Sequence, residues 1–218
     1  MKEFLNKIAE FYKKHSDILK PAAILTVIAL CVATALAVTN AITVDKIAAL
    51  ATEQQNAAMA ELVPDASYDE VPVPEGNSAD TMFIATQNGN ATAYLITATD
   101  KGYGGDVKVM VAVTPSTKKV LAVSILSVAD ETPGLGQNAT KPEFAERFKG
   151  MVNGIEVVKN GADASKNQVD AITGATLTSN AVKRAVNTAL TCAEMYENQN
   201  NSANAGDEPN ESEVGSNE

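Results

Sequence analysis

The residues best suited to chemistry lie in one short stretch, where several hydroxyl side chains surround a glycine and an alanine. It reads Asp170-Ala171-Ile172-Thr173-Gly174-Ala175-Thr176-Leu177-Thr178-Ser179, and an unbroken helical pattern begins at about Thr176. The small residues Gly174 and Ala175 let a ligand approach the backbone closely. Unpaired N–H groups and the dipole at a helix N-terminus bind anions, phosphate above all. Taken alone, such a stretch is more often an ordinary helix cap than a phosphate site.

Two glycine-rich segments precede this stretch. Residues 102–105 read GYGG, and residues 131–136 read ETPGLG. Each is by itself typical of a turn or a surface loop. Their significance therefore depends on whether the fold brings them to the threonine-rich stretch.

Composition and charge exclude several classes of function. The 218 residues carry a formal net charge of −10, which makes nucleic acid an improbable partner. Cys31 lies in an apolar run and Cys192 near the end of the last helical pattern, so we expect no disulfide between them. The single histidine, His15, stands among lysines and is expected to be solvated. No acid/base pair, nucleophile triad or metal cluster is visible, so we predict neither a catalytic residue nor a metal site.

The first third of the chain reads as a membrane anchor. Residues 1–20 form an amphipathic pattern with five lysines against three acids, and residues 21–44 contain no charge. A helix of that length spans the roughly 30 Å hydrocarbon layer. The lysine excess places the N-terminus in the cytoplasm and the remainder outside. Residues 45–80 are predicted to be a stalk helix followed by a proline-rich linker.

The folded domain is predicted over residues 81–197. Two hairpins, one turning at Asn88-Gly89 and the other across residues 115–119, indicate four antiparallel strands. A short helix over 142–149, two short strands near 155–158 and 169–172, and a long helix over 176–197 follow, the last with Leu177 in its core-facing stripe. The fold class is therefore α+β, with helices on one side of the sheet. Residues 198–218, rich in Asn, Ser and acids, are predicted to be a disordered tail.

Together the three unusual segments resemble the covalent FMN-binding domain family. That family includes the G subunit of the Rnf complex and the C subunit of the sodium-pumping NADH:quinone reductase. In it, a flavin transferase esterifies the FMN phosphate to the last threonine of the motif Asp-x-x-Ser/Thr-Gly-Ala-Thr. The motif is complete here from Asp170 to Thr176, with Thr173 in place of the commoner serine. The resemblance, which covers the anchor and the domain from about Thr81 to Met195, implies that Thr176 carries FMN.

The resemblance also implies roles for the neighbouring residues. Thr178 and Ser179 would donate hydrogen bonds to the phosphate, or else cap the first turn. Glu131 and Thr132 would bond to the flavin edge, although Glu131 fits equally well as a solvated loop carboxylate. Gly134 and Gly136 would let backbone N–H groups approach the flavin ring, and Leu135 would cover an apolar face of it. Gly174 and Ala175 would leave space for the phosphate. Asp170 would either take part in flavin transfer or only end its strand.

The function implied is that of an electron-transfer subunit of an ion-translocating ferredoxin:NAD oxidoreductase of the Rnf type, with little activity alone. Its partners would be the other subunits, the flavin transferase during maturation and the lipid bilayer. It would be a single-pass protein of the cell (inner) membrane, with its FMN domain on the extracytoplasmic side. Two alternatives stay open: the C subunit of the quinone reductase, and a membrane-anchored adaptor module without flavin.

Overall fold

The computed structural model describes residues 16–205 of the chain, in two compact units divided after Glu53. Most of the predicted amphipathic segment 1–20, and residues 206–218 of the predicted tail, therefore lie outside the described residues. The described part of the first unit is residues 16–53 of helix α1 (Ser16–Leu62), and the last residues of this helix, 54–62, belong to the second unit.

Helix α1 is long and apolar enough to cross a membrane. Between Lys20 and Leu62 its most apolar window has a mean hydropathy of 2.5, and none of that window is buried. The threonine hydroxyls of this helix form hydrogen bonds within it. Each donates to the backbone carbonyl four residues earlier, as Thr26 does to Ala22 and Thr34 to Leu30. Such internal pairing avoids unsatisfied polar groups in an apolar environment. The predicted anchor helix is thus present as a candidate span.

The second unit is built on a five-stranded antiparallel sheet in sequential order. Its strands are β1 (Ser67–Val71), β2 (Thr81–Gln87), β3 (Asn90–Lys101), β4 (Asp106–Val113) and β5 (Val120–Ser127). The turn between β2 and β3 places Asn88 and Gly89 at φ of 52° and 80°, the left-handed region that a two-residue hairpin of this type requires. Both predicted hairpins are confirmed.

Strand β1 lies in the segment that the sequence analysis assigns to a linker, and that assignment is wrong for these residues. Ser67 pairs with Thr86 and Val71 with Met82, which makes β1 an edge strand of the sheet. Its alternation is weak because Asp69 and Glu70 are exposed at the edge of the sheet. Charged, proline-flanked edge strands are common since they discourage pairing with other chains.

Helices cover both faces of the sheet, not one face as predicted. On one face Ala58 and Met59 at the end of α1, and Val63 directly after it, are buried against residues that include Leu95 and Met110. The opposite face packs against the long helix α3 (Thr176–Ala205). Its fully buried residues there include Val182, Val186, Ala189, Leu190 and Cys192. The fold is α+β, as predicted, with α3 packed along one face of the sheet and the end of α1 packed against part of the other.

A smaller lobe connects β5 to α3. It contains the short helix α2 (Pro142–Ala145), which continues as a 3-10 turn (Glu146–Phe148), and the parallel strands β6 (Glu156–Val158) and β7 (Gln168–Asp170). Phe144 and Phe148 pack edge to face, 5.4 Å between ring centroids, and are buried. Helix α3 extends to Ala205, eight residues beyond the predicted end, because no glycine or proline interrupts the pattern before Gly206.

Candidate functional site

The carboxylate of Glu131 joins the three segments that the sequence analysis singles out. The residue is buried, with 2% of its surface exposed. Its Oε1 accepts hydrogen bonds from the backbone N–H groups of Tyr103 (2.7 Å) and Gly104 (3.2 Å). Its Oε2 accepts a hydrogen bond from the Thr178 hydroxyl at 2.7 Å, in the first turn of α3. A solvated loop carboxylate, one of the two predicted possibilities, is therefore excluded.

Two glycines make room for this carboxylate. A Cβ atom at Gly102 would lie 2.0 Å from Glu131 Oε1, and one at Gly136 would lie 2.3 Å from Glu131 Oε2 and 2.8 Å from Thr178 Oγ1. Real Cβ atoms do not approach so closely, so both positions require glycine while Glu131 stays in place. One glycine of GYGG and one of ETPGLG thus serve the packing of the same side chain.

The N-terminus of α3 has no side-chain cap. The first bond of the helix runs from the Ser179 N–H to the Ala175 carbonyl, at 3.0 Å, which makes Ala175 the N-cap. Alanine is a poor N-cap because it has no side-chain acceptor. The N–H groups of Thr176, Leu177 and Thr178 consequently have no acceptor among the residues the structure describes. Three free donors and the helix dipole favour an anion at this end.

A cleft of about 540 Å³ opens at this helix end. Its volume lies within the range of small-molecule and cofactor sites, roughly 300–1,000 Å³. Its large exposed side chains are apolar or aromatic, namely Tyr103 (72% exposed), Leu135 (42%) and Leu177 (58%), and two exposed threonines, Thr132 and Thr176, lie among them. Among the described residues, no lysine, arginine or histidine lines the cleft, and Glu131 is its only carboxylate. The remaining lining residues are Gly136, Gly174, Ala175 and Thr178.

Thr176 has an exposed hydroxyl at the N-terminus of helix α3. Its side chain is exposed in the cleft, and its hydroxyl has no hydrogen-bond partner within the described part of the chain. Gly174, two residues earlier, has φ of +77°, and a Cβ there would lie 3.0 Å from Leu135 Cδ2. The glycine therefore permits both the sharp turn before α3 and the close approach of the ETPGLG loop.

The neighbouring hydroxyls have other uses than those predicted. The Thr178 hydroxyl donates to Glu131, and the Ser179 hydroxyl donates to the Ala175 carbonyl while accepting from the Ile172 N–H. Both side chains are buried, with 1% and 0% exposed. They brace the turn before α3, so their hydroxyl protons are not free for a phosphate.

Three other predicted site residues do not line the cleft. Asp170 Oδ1 accepts from the Ala162 N–H at 2.9 Å, and its carbonyl accepts from Arg147, so it anchors the loop beside β7. Thr173 faces a separate depression that Arg147 also lines. Gly134 has φ of +76° and forms the turn of its loop.

Two cleft residues escaped the sequence analysis. Tyr103 belongs to the GYGG segment, but the aromatic residue within it was not singled out. Leu177 is predicted to face the core, whereas the structure exposes it at the cleft rim. The sequence did contain a signal for this exposure, because Leu177 directly follows Thr176. A residue in the first turn of a helix that opens on an anion site is not covered by other parts of the protein.

Comparison with known proteins agrees with this geometry. A model of the FMN-binding domain matches residues 102–191, which contain all three segments, and a model of the RnfG N-terminal region matches residues 7–62. Shewanella oneidensis NqrC has a related fold, with a TM-score of 0.50 over 60% of this chain and 69% of that one. At 23% identity this likeness speaks to the fold alone. Residues 102–191 of the second unit thus match the FMN-binding domain family.

The sequence relatives are G subunits of ion-translocating complexes. The G subunit of the Methanosarcina acetivorans ion-translocating oxidoreductase complex is 31% identical over 80% of this chain and 93% of its own length. The G subunit of the Acetobacterium woodii Na⁺-translocating ferredoxin:NAD⁺ oxidoreductase complex is 29% identical over 83% and 92%. Its Clostridium ljungdahlii counterpart, named for proton translocation, is 46% identical, but the match spans only 57% of it. The chain belongs to the family of G subunits of ion-translocating oxidoreductase complexes.

Proposed function

We propose that this chain carries FMN as a phosphate ester of Thr176 and acts as an electron-transfer subunit of an ion-translocating ferredoxin:NAD oxidoreductase. The observation that carries the proposal is an exposed, unpartnered threonine hydroxyl at an uncapped helix N-terminus that opens into a cleft. Family membership supports the assignment to an ion-translocating oxidoreductase. The match to the FMN-binding domain supports the cofactor.

The phosphate end of FMN fits the helix terminus. The N–H groups of Thr176, Leu177 and Thr178 supply three donors, and the dipole of a 30-residue helix adds a favourable field. An ordinary cap would have occupied one of these donors. Alanine at the N-cap position makes the helix about 0.5–2 kcal/mol less stable than serine or aspartate would. Such local departures from the most stable sequence are typical of functional sites.

The ring of FMN fits the walls of the cleft. Leu135, Leu177 and Tyr103 offer apolar and aromatic surface, and the glycine at position 174 lets the loop bearing Leu135 close on the helix turn. Exposed apolar side chains gathered at one opening are typical of a ligand site. When bound, FMN supplies the redox chemistry by accepting and releasing electrons, while the protein positions it.

The chain's own residues hold the site in shape. Glu131 ties the GYGG loop to the first turn of α3, and Arg184 fixes the other end of that loop by donating to Asp100 at 2.7 Å and to the Lys101 carbonyl at 2.8 Å. This bracing keeps the Thr176 hydroxyl exposed and so accessible to a flavin transferase. An ester bond also keeps FMN attached where no flavin pool exists to replace it.

The membrane assignment completes the proposal. Helix α1 would anchor the domain in the bilayer of the cell (inner) membrane, and the lysine excess of residues 1–20 would keep the N-terminus in the cytoplasm. The FMN domain would then face the extracytoplasmic side, where the other subunits of the complex exchange electrons with it. The sodium-pumping quinone reductase has no comparable support, because the relative of that type matches in fold alone.

Co-expression of the full chain with a flavin transferase tests the proposal. After denaturing electrophoresis, the wild-type chain and Thr176→Ser should fluoresce under ultraviolet light, and Thr176→Ala should not. Thr117→Ala is the matched control, because Thr117 is an exposed threonine in the turn between β4 and β5, outside both the motif and the cleft. Fluorescence retained by Thr176→Ala, or lost equally by Thr117→Ala, would overturn the site assignment. A dark wild-type band beside a fluorescent positive control would favour the flavin-free adaptor.

A further inference from the structure

The wall of the cleft has an unbalanced charge. Glu131 is buried there, forms no ion pair with a described residue, and shares the cleft with no lysine, arginine or histidine of the described chain. Buried charges are normally paired because desolvation is costly. Here the carboxylate is stabilised by three hydrogen-bond donors and not by a cation. The donors are the backbone N–H groups of Tyr103 and Gly104 and the Thr178 hydroxyl.

These contacts fit an ionised carboxylate. An ionised carboxylate only accepts hydrogen bonds, and both N–H groups and the Thr178 hydroxyl donate to this one. Gly102 and Gly136 close around the two oxygens, so the group cannot swing into solvent without displacing them. The charge is therefore fixed in position.

We infer that Glu131 lowers the midpoint potential of the FMN that the cleft carries. The inference rests on the proposed function, since it places the flavin in this cleft. Reduction of FMN adds two electrons and takes up protons from solvent, and a fixed negative charge nearby opposes the added electron density. Glu131 Oε1 accepts from the N–H of Tyr103, which belongs to the wall proposed to hold the ring, and Oε2 accepts from Thr178 in the first turn of α3, so the charge lies beside that wall. A buried charge is screened little by salt.

Glu131→Gln removes the charge and can keep the hydrogen bonds. The amide oxygen can accept from the N–H groups of Tyr103 and Gly104, and the amide N–H₂ can donate to the Thr178 hydroxyl, which also has acceptor capacity. Glu156→Gln is the matched control, because Glu156 is an exposed carboxylate that does not line the cleft.

The experiment is a spectroelectrochemical titration of the flavinylated full chain in detergent, with dithionite as reductant and redox mediators, at fixed pH and ionic strength. A unit charge within about 10 Å, at an effective dielectric constant of about 20, changes an electron-transfer equilibrium by about tenfold. For a two-electron couple a tenfold change is about 30 mV. We expect Glu131→Gln to raise the midpoint potential by at least this amount, and Glu156→Gln to leave it unchanged.

A midpoint potential in Glu131→Gln equal to or below that of the wild type would overturn the inference. If Glu131→Gln takes up no flavin, Thr178→Val decides instead, because it removes a donor that offsets the charge. Its midpoint potential should then fall below that of the wild type, and an unchanged or higher value would contradict the inference. Failure of the wild-type chain itself to accept flavin would count against the proposed function, which separates the two results.

Discussion

Thr178→Val tests whether the hydrogen bond to Glu131 holds the site together. The Thr178 side chain is 1% exposed, and its hydroxyl donates to the buried carboxylate at 2.7 Å. Valine has nearly the same shape, so it opens no cavity and removes only the donor. A hydrogen bond to a charged group contributes about 1.5–3 kcal/mol, and the cost stays near the middle of that range because the other carboxylate oxygen keeps its two N–H donors. We therefore expect a loss of about 2 kcal/mol in the free energy of unfolding.

Urea unfolding of the full chain in detergent measures this loss. The protein has five tyrosines and no tryptophan, so tyrosine fluorescence is the natural signal. With a slope of about 2 kcal/mol per molar urea, a loss of about 2 kcal/mol lowers the midpoint by about 1 M. Such a shift is well above the error of the measurement.

Thr176→Val provides the matched control. It makes the same substitution two positions earlier in the same helical turn, but the Thr176 side chain is exposed and its hydroxyl has no partner in the described chain. Surface substitutions of this kind change stability by about 0.5 kcal/mol or less. If the two variants unfold at the same urea concentration, the Glu131–Thr178 hydrogen bond does not stabilise the site, and the reasoning is refuted.

Two further predictions concern packing and pH. Gly102→Ala places a Cβ 2.0 Å from Glu131 Oε1, so we expect about 1–3 kcal/mol of destabilisation in the same urea assay; an unchanged midpoint would mean that the carboxylate is free to move. The pKa of Glu197 lies below its ordinary value of 4.5, first because the Tyr94 hydroxyl donates to it and then because of Lys118. A lowered pKa in the folded state stabilises the fold above pH 4.5 and loses that effect as pH falls through the folded value. The difference in the free energy of unfolding between the wild type and Glu197→Gln should therefore shrink as the pH falls below 4.5. A difference that stays constant over this pH range would contradict the prediction.

The elements with strong local signals were predictable from the sequence. The uncharged run predicted the candidate membrane-spanning helix, the Asn88-Gly89 pair predicted the first hairpin, and the periodic apolar stripe predicted the long final helix. The motif from Asp170 to Thr176 was recognisable for a similar reason, because its small residues and threonine stand together at a helix start. In each case the pattern that predicts the element lies within one continuous stretch of the sequence.

The features that were missed depend on contacts distant in sequence. Strand β1 forms only because β2 offers an edge to its charged, weakly alternating residues. The burial of Glu131 requires Gly102, Gly136 and Thr178, which come from three separate segments. The hydrogen bond between Thr178 and Glu131 joins residues that are 47 positions apart in the sequence. The exposure of Leu177 follows from the missing cover at the helix start. No local pattern contains these facts.

Locating the flavin adduct by mass tests the central claim most directly. The full chain, co-expressed with a flavin transferase, is digested, and its peptides are fragmented to assign the modified residue. The account predicts one FMN per chain, attached through phosphate to the hydroxyl of Thr176 and absent from Thr173 and Thr178. An adduct on another residue, or FMN that is released intact on denaturation, would contradict it.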